Sequence, residues 1–343
     1  MKSTLRNSLY LLSFTPAIAV IIGNLSGGAF TLLNTAYTLG ILAIFEWITP
    51  AFLSNHNSSK QDAWPKLILY AHVPLQILSI SSLFYGIYYE TINGVWIVAA
   101  AFSTGLNSGT SAIVVAHEFI HCRKPFDRFL GKFLLFTAGN IYFYIEHLAV
   151  HHRWVGTAKD NATAKFGESL YAFFIRSACG QIKGAYQIET ERVKALGIAP
   201  IFLYHYVVRQ ICVQGLVIIL SVYFLGSAVL LALIIQGLLA NFLLEYVNYI
   251  QHYGLTRDEK QRASELHSWE SNQFASRFLL VDLSRHADHH NYASKPYHTL
   301  INYTESPKLP SGYAGLFFVA AIPFLWRKII HKQLADFNAK HIK

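Results

Sequence analysis

Histidines are the residues of this chain whose type and spacing point to chemistry. Nine of the 16 histidines fall in four short clusters: HEFIH at 117–121, EHLAVHH at 146–152, NYIQHYGL at 248–255 and RHADHH at 285–290. Because helical positions three or four apart share one face, we expect each cluster to aim its imidazoles at a single point. The nine side chains are His117, His121, His147, His151, His152, His252, His286, His289 and His290.

Metal binding is the chemistry that this set of imidazoles predicts. Buried polar nitrogens without partners cost several kcal/mol each, and a bound ion satisfies them. A tetrahedral ion takes about four ligands, so nine histidines favour two ions of five- or six-coordination. Imidazole suits zinc, copper, iron and nickel, which leaves the metal open. The HExxH pattern at 117–121 is also a zinc-peptidase signature with Glu118 as base, but that interpretation leaves the other clusters unexplained.

Acidic residues and one further histidine lie close to the clusters in sequence. Glu118, Glu146 and Asp288 are candidates for carboxylates that orient ligand imidazoles, or else they are ordinary charges on helix faces. His267 is a tenth histidine near the set, as a supporting or structural residue. The other six stand alone, and we interpret them as surface residues or satisfied core residues: His56, His72, His205, His298, His331 and His341.

Long apolar stretches must position these clusters. The 343 residues are 53% hydrophobic and only 14% charged, whereas soluble domains carry about 25% charged residues. A bilayer core of about 30 Å needs roughly 20 apolar residues in a helix. Six stretches qualify or nearly so: 8–24, 30–52, 67–89, 94–116, 207–224 and 226–249. We therefore predict one all-α integral membrane domain over residues 1–343, with six transmembrane helices and a histidine-rich cap.

The first apolar run and two interrupted apolar runs need interpretations of their own. Lys2 and Arg6 before the first apolar run could mark a signal peptide, but five further spans favour an uncleaved helix. The interrupted runs 129–145 and 313–326 are predicted as re-entrant or interfacial helices. The three cysteines, Cys122, Cys179 and Cys212, have no CxxC spacing and are expected to be small buried apolar residues.

The basic residues predict the orientation. All 28 Lys and Arg fall at the N-terminus, in 53–66, in 117–209 or after 249, and none falls in the three short loops between paired spans. By the positive-inside rule, both termini and the histidines then face the cytoplasm. This accounts for the net charge of +9 without nucleic-acid binding. The basic face can contact anionic lipid or an acidic protein.

The motifs resemble those of the membrane-bound non-heme di-iron oxygenases of the fatty acid desaturase-like superfamily. The pattern HxxxH, HxxxHH and HxxHH matches at 117–121, 147–152 and 286–290, and NYIQHYGL points to the alkane hydroxylase and xylene monooxygenase branch. The stretches 146–171, 267–272 and 309–315 are also similar. Two positions depart from the usual alkane hydroxylase form, which has Glu in place of Gln251 and Asn in place of Glu270.

The resemblance implies a function. It implies a bacterial inner-membrane enzyme whose histidines hold two iron ions facing the cytoplasm. It implies an alkane 1-monooxygenase-like reaction that inserts one O2-derived oxygen into a terminal or benzylic C–H bond of a hydrophobic substrate. Electrons would come from a rubredoxin- or ferredoxin-type protein and its NAD(P)H-dependent reductase. The sequence contains no GxGxxG fingerprint for binding a dinucleotide, which is consistent with this indirect supply of electrons.

Two other classes stay open at this point. An acyl-lipid desaturase or fatty acid hydroxylase would share the metal-binding clusters. A metal transporter would need polar ligands near the bilayer midplane, whereas these histidines gather on one side. The sequence leaves the substrate length, the donor and the oligomeric state open, a homo-oligomer included.

Two surfaces are predicted around the site. A basic region after the sixth span is expected to steer an acidic electron carrier: Arg257, Lys260, Arg262, Arg277 and Arg285. Small residues in the fourth and sixth spans allow either close helix packing or a narrow substrate channel: Gly105, Ser108, Gly109, Ser111, Gly237 and Ala240.

Overall fold

Six long apolar helices dominate the computed structural model, which describes residues 3–55, 63–199 and 203–341. The prediction of six spans is confirmed, with boundaries shifted by a few residues. Each helix is long and apolar enough to cross a membrane. They are α1 Arg6–Ser26, α2 Gly28–Ile48, α3 Ala63–Tyr88, α4 Val95–Ile120, α8 Tyr206–Leu225 and α9 Ala228–His252.

Shorter helices carry the remaining clusters, and no β-strand forms within the described ranges. The run predicted over 129–145 is a helix that breaks after Thr137, and the run over 313–326 is broken at Ile322. These helices are α5 Pro125–Thr137, α6 over 143–154, α7 Leu170–Ala195, α10 Phe274–Leu279, α11 His286–Asn291, α12 Tyr313–Ala321 and α13 Pro323–His341.

The crossing of α4 and α9 sets the position of two histidine clusters. A Cβ on Gly105 would lie 2.9 Å from the backbone oxygen of Gln236, so the absence of a side chain lets the two helices touch. A polar bond pins the same contact, because Gln236 Nε2 donates to Ser108 Oγ at 2.8 Å. Both helices therefore end on one side of the bundle, where His117 and His252 lie.

A buried charge cluster fixes the segment that leads into α11. Asp282 accepts hydrogen bonds from Arg6 Nη2 at 3.1 Å and Arg277 Nε at 2.6 Å, and Arg285 Nε lies 4.0 Å away. All four side chains are fully buried, and removing one member of such a group costs several kcal/mol. The prediction that Arg277 and Arg285 steer a partner is therefore wrong, since both side chains are buried in this charge cluster.

Two of the three cysteines contradict their prediction. Cys122 is half-buried, but Cys179 and Cys212 are exposed. Cys212 lies on α8, whose surface is left largely uncovered by the rest of the chain. An apolar side chain on such a surface can be satisfied by lipid instead of by a protein core.

Candidate metal centre

The nine predicted histidines converge on one place, where they form two groups. The first group has five members and the second has four, and within each the nearest ligand atoms all lie within 4.8 Å of one another. The first group is His117, His121, His147, His152 and His289, and the second is His151, His252, His286 and His290.

The spacing of the nitrogens in the first group suits a shared cation. Nε2 of His147 lies 3.0 Å from Nε2 of both His121 and His152, and His152 Nε2 lies 3.2 Å from that of His289. Imidazole–metal bonds are about 2.1 Å long, so two ligands at right angles would be about 3.0 Å apart. The observed nitrogen–nitrogen distances thus fit the ligands of an ion with five- or six-coordination. Mutually facing nitrogens cannot all be hydrogen-bond donors.

The second group leaves nitrogens without partners. Nε2 of His151 and Nε2 of His252 are buried and have no hydrogen-bond partner among the described residues. Nε2 of His286 lies 2.9 Å from Nε2 of His290. Because an orphaned buried nitrogen costs free energy, this arrangement also favours a bound ion. The residues present fit the predicted metal pair.

The split of the clusters differs from the prediction that each aims at one point. His147 and His152 belong to the first group, while His151 between them belongs to the second. The reason is local: 147–151 forms a π-helical turn, in which residues five apart become neighbours. In α11, His286 and His290 share a face while His289 turns to the first group. Both clusters therefore supply both groups.

Burial keeps these imidazoles neutral and their lone pairs available. Burial lowers the pKa of His121 to about 4 and is the largest cause of the lowered pKa of His152, with neighbouring histidines adding to it. The pKa values of His147, His286 and His289 are also lowered well below the ordinary value by the same causes. A neutral imidazole is the form that binds a metal ion.

Asp160 is the carboxylate that holds a candidate ligand, and no pattern in the sequence indicates this role. His151 Nδ1 lies 2.9 Å from Asp160 Oδ2, which also accepts from Thr163 Oγ1 at 2.7 Å. Burial would raise the pKa of Asp160, but the attraction of His151 and these hydrogen bonds lower it overall. The carboxylate thus fixes the ring so that Nε2 faces the second group.

Replacing Asp160 with Asn should lower the metal affinity of the second group by about 10- to 100-fold, because outer carboxylates of this kind typically contribute that much. Competition with a chelator, read out as metal retained per chain, measures the loss. Asp258→Asn is the matched control, since Asp258 is exposed. Equal retention in both variants would show that Asp160 has no influence on the metal.

The four residues predicted to support the ligands take different places. Glu118 Oε1 lies 3.8 Å from His117 Nδ1, and the backbone carbonyl of His267 lies 3.3 Å from His252 Nδ1. Asp288 accepts instead from Lys295, from the Ile301 backbone at 2.8 Å and from Tyr303. Its partners hold the end of α11.

Glu146 faces away from the imidazoles and packs on α7. A Cβ on Gly184 would collide with its carboxylate, and Oε1 has no hydrogen-bond partner among the described residues. Burial is the main cause that raises the pKa of Glu146 to about 8. The glycine allows α6 to approach α7 closely enough to seat the second cluster.

The isolated histidines stay outside both groups. His72 is buried between Ser13 Oγ at 2.8 Å and Ser111 Oγ at 2.7 Å, and His331 bonds the Tyr253 hydroxyl at 3.0 Å. His205 begins α8 as its N-cap. His298 is buried, His341 is exposed, and His56 lies outside the described residues.

The two positions that depart from the alkane hydroxylase form make polar contacts with other parts of the chain. Gln251 Nε2 donates to the Tyr313 hydroxyl at 2.7 Å, and Glu270 is paired with Lys308. Both side chains are buried. Neither side chain is a member of the two histidine groups.

An apolar cavity lies between the spans and approaches the histidines. Its lining runs along α4 from Leu106 to Val114, which precedes His117 by three residues. At a rise of 1.5 Å per residue, the stretch from Leu106 to Val114 spans about 12 Å of helix. Glu46 lines the same cavity, but its carboxylate accepts from the backbone of Ser276 at 2.8 Å and of Gly315 at 2.9 Å. The cavity therefore offers a mainly apolar surface.

The two glycines expected to face one channel are separated. Gly109 lines this cavity opposite Leu243, whereas Gly237 lines a different cleft and faces Gly139. The expectation that Gly237 borders the same channel is therefore wrong. Residue 237 lies on a different face of α9 from residue 243, because six residues correspond to one and two-thirds turns of an α-helix.

Comparison with known proteins shows which chains this one resembles. Residues 93–320 match the family described as fatty acid desaturase. The chain is 32% identical to alkane 1-monooxygenase 1 of Alcanivorax borkumensis over 81% of this chain and 70% of that protein. It is 29% identical to an alkane 1-monooxygenase of Pseudomonas putida, covering 94% and 83% of the two chains. It is also 29% identical to the hydroxylase component of a xylene/toluene monooxygenase from Pseudomonas putida, covering 97% and 90%.

The fold and the site define a class: an all-helical integral membrane protein whose clustered histidines can hold metal ions. The chain belongs to the fatty acid desaturase family.

Proposed function

We propose that this protein is an O2-dependent monooxygenase of the alkane 1-monooxygenase type, which hydroxylates a terminal or benzylic carbon of a hydrophobic substrate. The observation that carries the proposal is the apolar cavity among the spans, whose lining includes Val114, three residues before His117 of the first histidine group. Relatives named alkane 1-monooxygenase and xylene/toluene monooxygenase support it.

The reaction balances as R–H + O2 + 2 e⁻ + 2 H⁺ → R–OH + H2O. Two iron ions held by the nine histidines would supply the O2 activation that side-chain acids and bases cannot provide. The neutral imidazoles would hold the metal pair, and Asp160 orients His151. The cavity aligns a slim substrate along α4 and excludes water from its reacting end.

The number and kind of ions rest on the ligand count and on the resemblance. Five and four imidazoles form two separate groups, which favours one ion for each. An all-nitrogen set suits iron as well as zinc or copper; a redox reaction with O2 excludes zinc, and the family resemblance favours iron over copper. Metal analysis of the purified protein should give two irons per chain.

Product analysis tests the function. Membranes containing the protein, with reductant, should convert octane or xylene under 18O2 to an alcohol that carries one 18O atom. A fatty acyl substrate that yields an alkene without 18O would instead support an acyl-lipid desaturase. The family match leaves that alternative open, but the named relatives favour the hydroxylase.

The partial exposure of two histidines indicates where electrons enter the site. Only His121 and His152 among the nine histidines are partly exposed, and both belong to the first group. Exposed basic residues follow each of them in sequence, namely Arg123 and Arg153. We propose that an acidic rubredoxin- or ferredoxin-type donor docks here, with Lys260 and Arg262 still available to steer it.

Turnover at limiting donor should fall as ionic strength rises, because salt screens charges beyond a Debye length of about 8 Å. Turnover at saturating donor should change little. Arg153→Glu should raise the KM for the donor, while Lys194→Glu, an exposed charge on α7, serves as the matched control. A turnover rate at limiting donor that does not change with ionic strength would contradict electrostatic steering of the donor.

The orientation is also a proposal. The loop over 89–94 contacts the α1–α2 turn, at the end of the bundle opposite the histidines, and carries no Lys or Arg. By the positive-inside rule the histidine side faces the cytoplasm of a bacterial inner membrane. A reporter fused after Asn93 should therefore read as external and one after Asp258 as cytoplasmic. The reverse pattern would overturn this assignment.

A further inference from the structure

Helix α7 is long, lies outside the six spans and presents two different exposed faces. One face is apolar and carries Tyr171, Ile175, Cys179, Ile182 and Tyr186, at helical spacings of three and four. The four large side chains on it are 51%, 65%, 46% and 50% exposed, in chain order. Exposed polar residues follow a separate line along the helix: Lys183, Gln187, Glu191 and Lys194.

The two ends of α7 are tied to the ends of spans. At its start, Phe173 packs on Tyr249 with ring centres 5.5 Å apart, near the end of α9. At the other end, Glu189 Oε1 accepts from the backbone of Tyr206, the first residue of α8, at 2.8 Å. Both contacts are with the histidine-side parts of spans, so α7 runs across the bundle near that side.

The apolar face of α7 continues into the membrane-facing surface of the spans. Ile182 lines one cleft with Val217 of α8 and Leu238 of α9. Phe174 contacts Phe242, which lies ten residues inside the end of α9, with ring centres 5.3 Å apart. At 1.5 Å per residue, that contact is about 15 Å below the end of the span. The apolar face is therefore continuous with surface that lies within the hydrocarbon.

We propose that α7 is an interfacial helix, whose apolar face inserts among the acyl chains of the bilayer while the face with Lys183 and Gln187 meets water. An apolar stripe of this length is rarely left against water, and tyrosines at its two ends suit the headgroup level. The bilayer thereby supports the site, because α7 seats α6 through the contact of Gly184 with Glu146. This proposal does not depend on the reaction catalysed.

Site-directed spin labelling of the full chain in phosphatidylethanolamine/phosphatidylglycerol vesicles tests the proposal. Cys122→Ser with Cys212→Ser leaves native Cys179 as the only cysteine on which to place a label. The matched control replaces all three cysteines with Ser and adds Gln187→Cys, on the polar face of the same helix. Metal content of each labelled protein reports whether the fold is preserved.

The label at 179 should collide severalfold more with lipid-soluble O2 than with a water-soluble nickel chelate, and the label at 187 should show the opposite preference. A nickel collision rate at 179 equal to that at 187 would place the apolar face in water and overturn the proposal. Shielding of the label at 179 from both reagents would also overturn it, since that result would mean that another protein surface covers the helix.

Discussion

Replacing His252 with Ala should remove the metal from the second group and reduce turnover by at least about 100-fold. Losing a residue that only supports a ligand already costs up to about 100-fold, and losing a ligand should cost more. His252 is fully buried, and it is the one member of its group that a transmembrane helix supplies. Without it three imidazoles remain in that group. Metal analysis should fall from two ions per chain toward one.

His331→Ala is the control for this experiment. His331 stacks on Phe166 with ring centres 4.2 Å apart and bonds the Tyr253 hydroxyl, but it belongs to neither histidine group. The variant should keep both metal ions. Full metal content and turnover in His252→Ala would remove α9 from the metal site and leave the NYIQHYGL segment without its assigned role.

The elements of the fold could be predicted because a bilayer imposes a simple length rule. Each apolar run of about 20 residues became a helix near its predicted bounds; α4 ends at Ile120, directly before His121, and α9 ends at His252. The nine imidazoles could be found in the sequence because short histidine spacings are uncommon enough to be informative.

The assignment of histidines to groups could not be predicted, because it depends on local backbone geometry. An α-helical rule pairs His147 with His151, whereas the π-helical turn pairs His147 with His152. The role of Asp160 could not be predicted for a different reason. It is nine residues from His151 in sequence, and a tight turn brings the two together, so helical periodicity gives no sign of the contact.

Charge was the least reliable guide to exposure. Arg277 and Arg285 read as part of a basic surface in the sequence, but Asp282 draws them into the interior with Arg6. Since Lys and Arg usually remain exposed, a buried cluster of this kind is visible only once the tertiary contacts are known. The remaining surface charges near the site, Arg153 among them, are those that a partner can reach.

Replacing Gly109 with Leu should shorten the preferred substrate by a few carbon atoms while both metal ions stay bound. Gly109 lines the apolar cavity, where a Cβ would lie 2.7 Å from Leu243 Cδ1. A larger side chain must therefore occupy substrate space or displace Leu243, at a typical overpacking cost of about 1–3 kcal/mol. Activity measured against a ladder of substrate lengths reports the shift.

Two further variants separate this effect from a general loss of stability. Leu243→Ala enlarges the same cavity and should move the preference toward longer substrates. Gly237→Leu makes the matched change in the other cleft, where a Cβ has only ordinary contacts, the nearest at 3.7 Å from the Ala138 backbone oxygen. It should leave the length profile unchanged. If Gly109→Leu folds, keeps its metal and shows the original profile, the substrate does not lie along this face of α4.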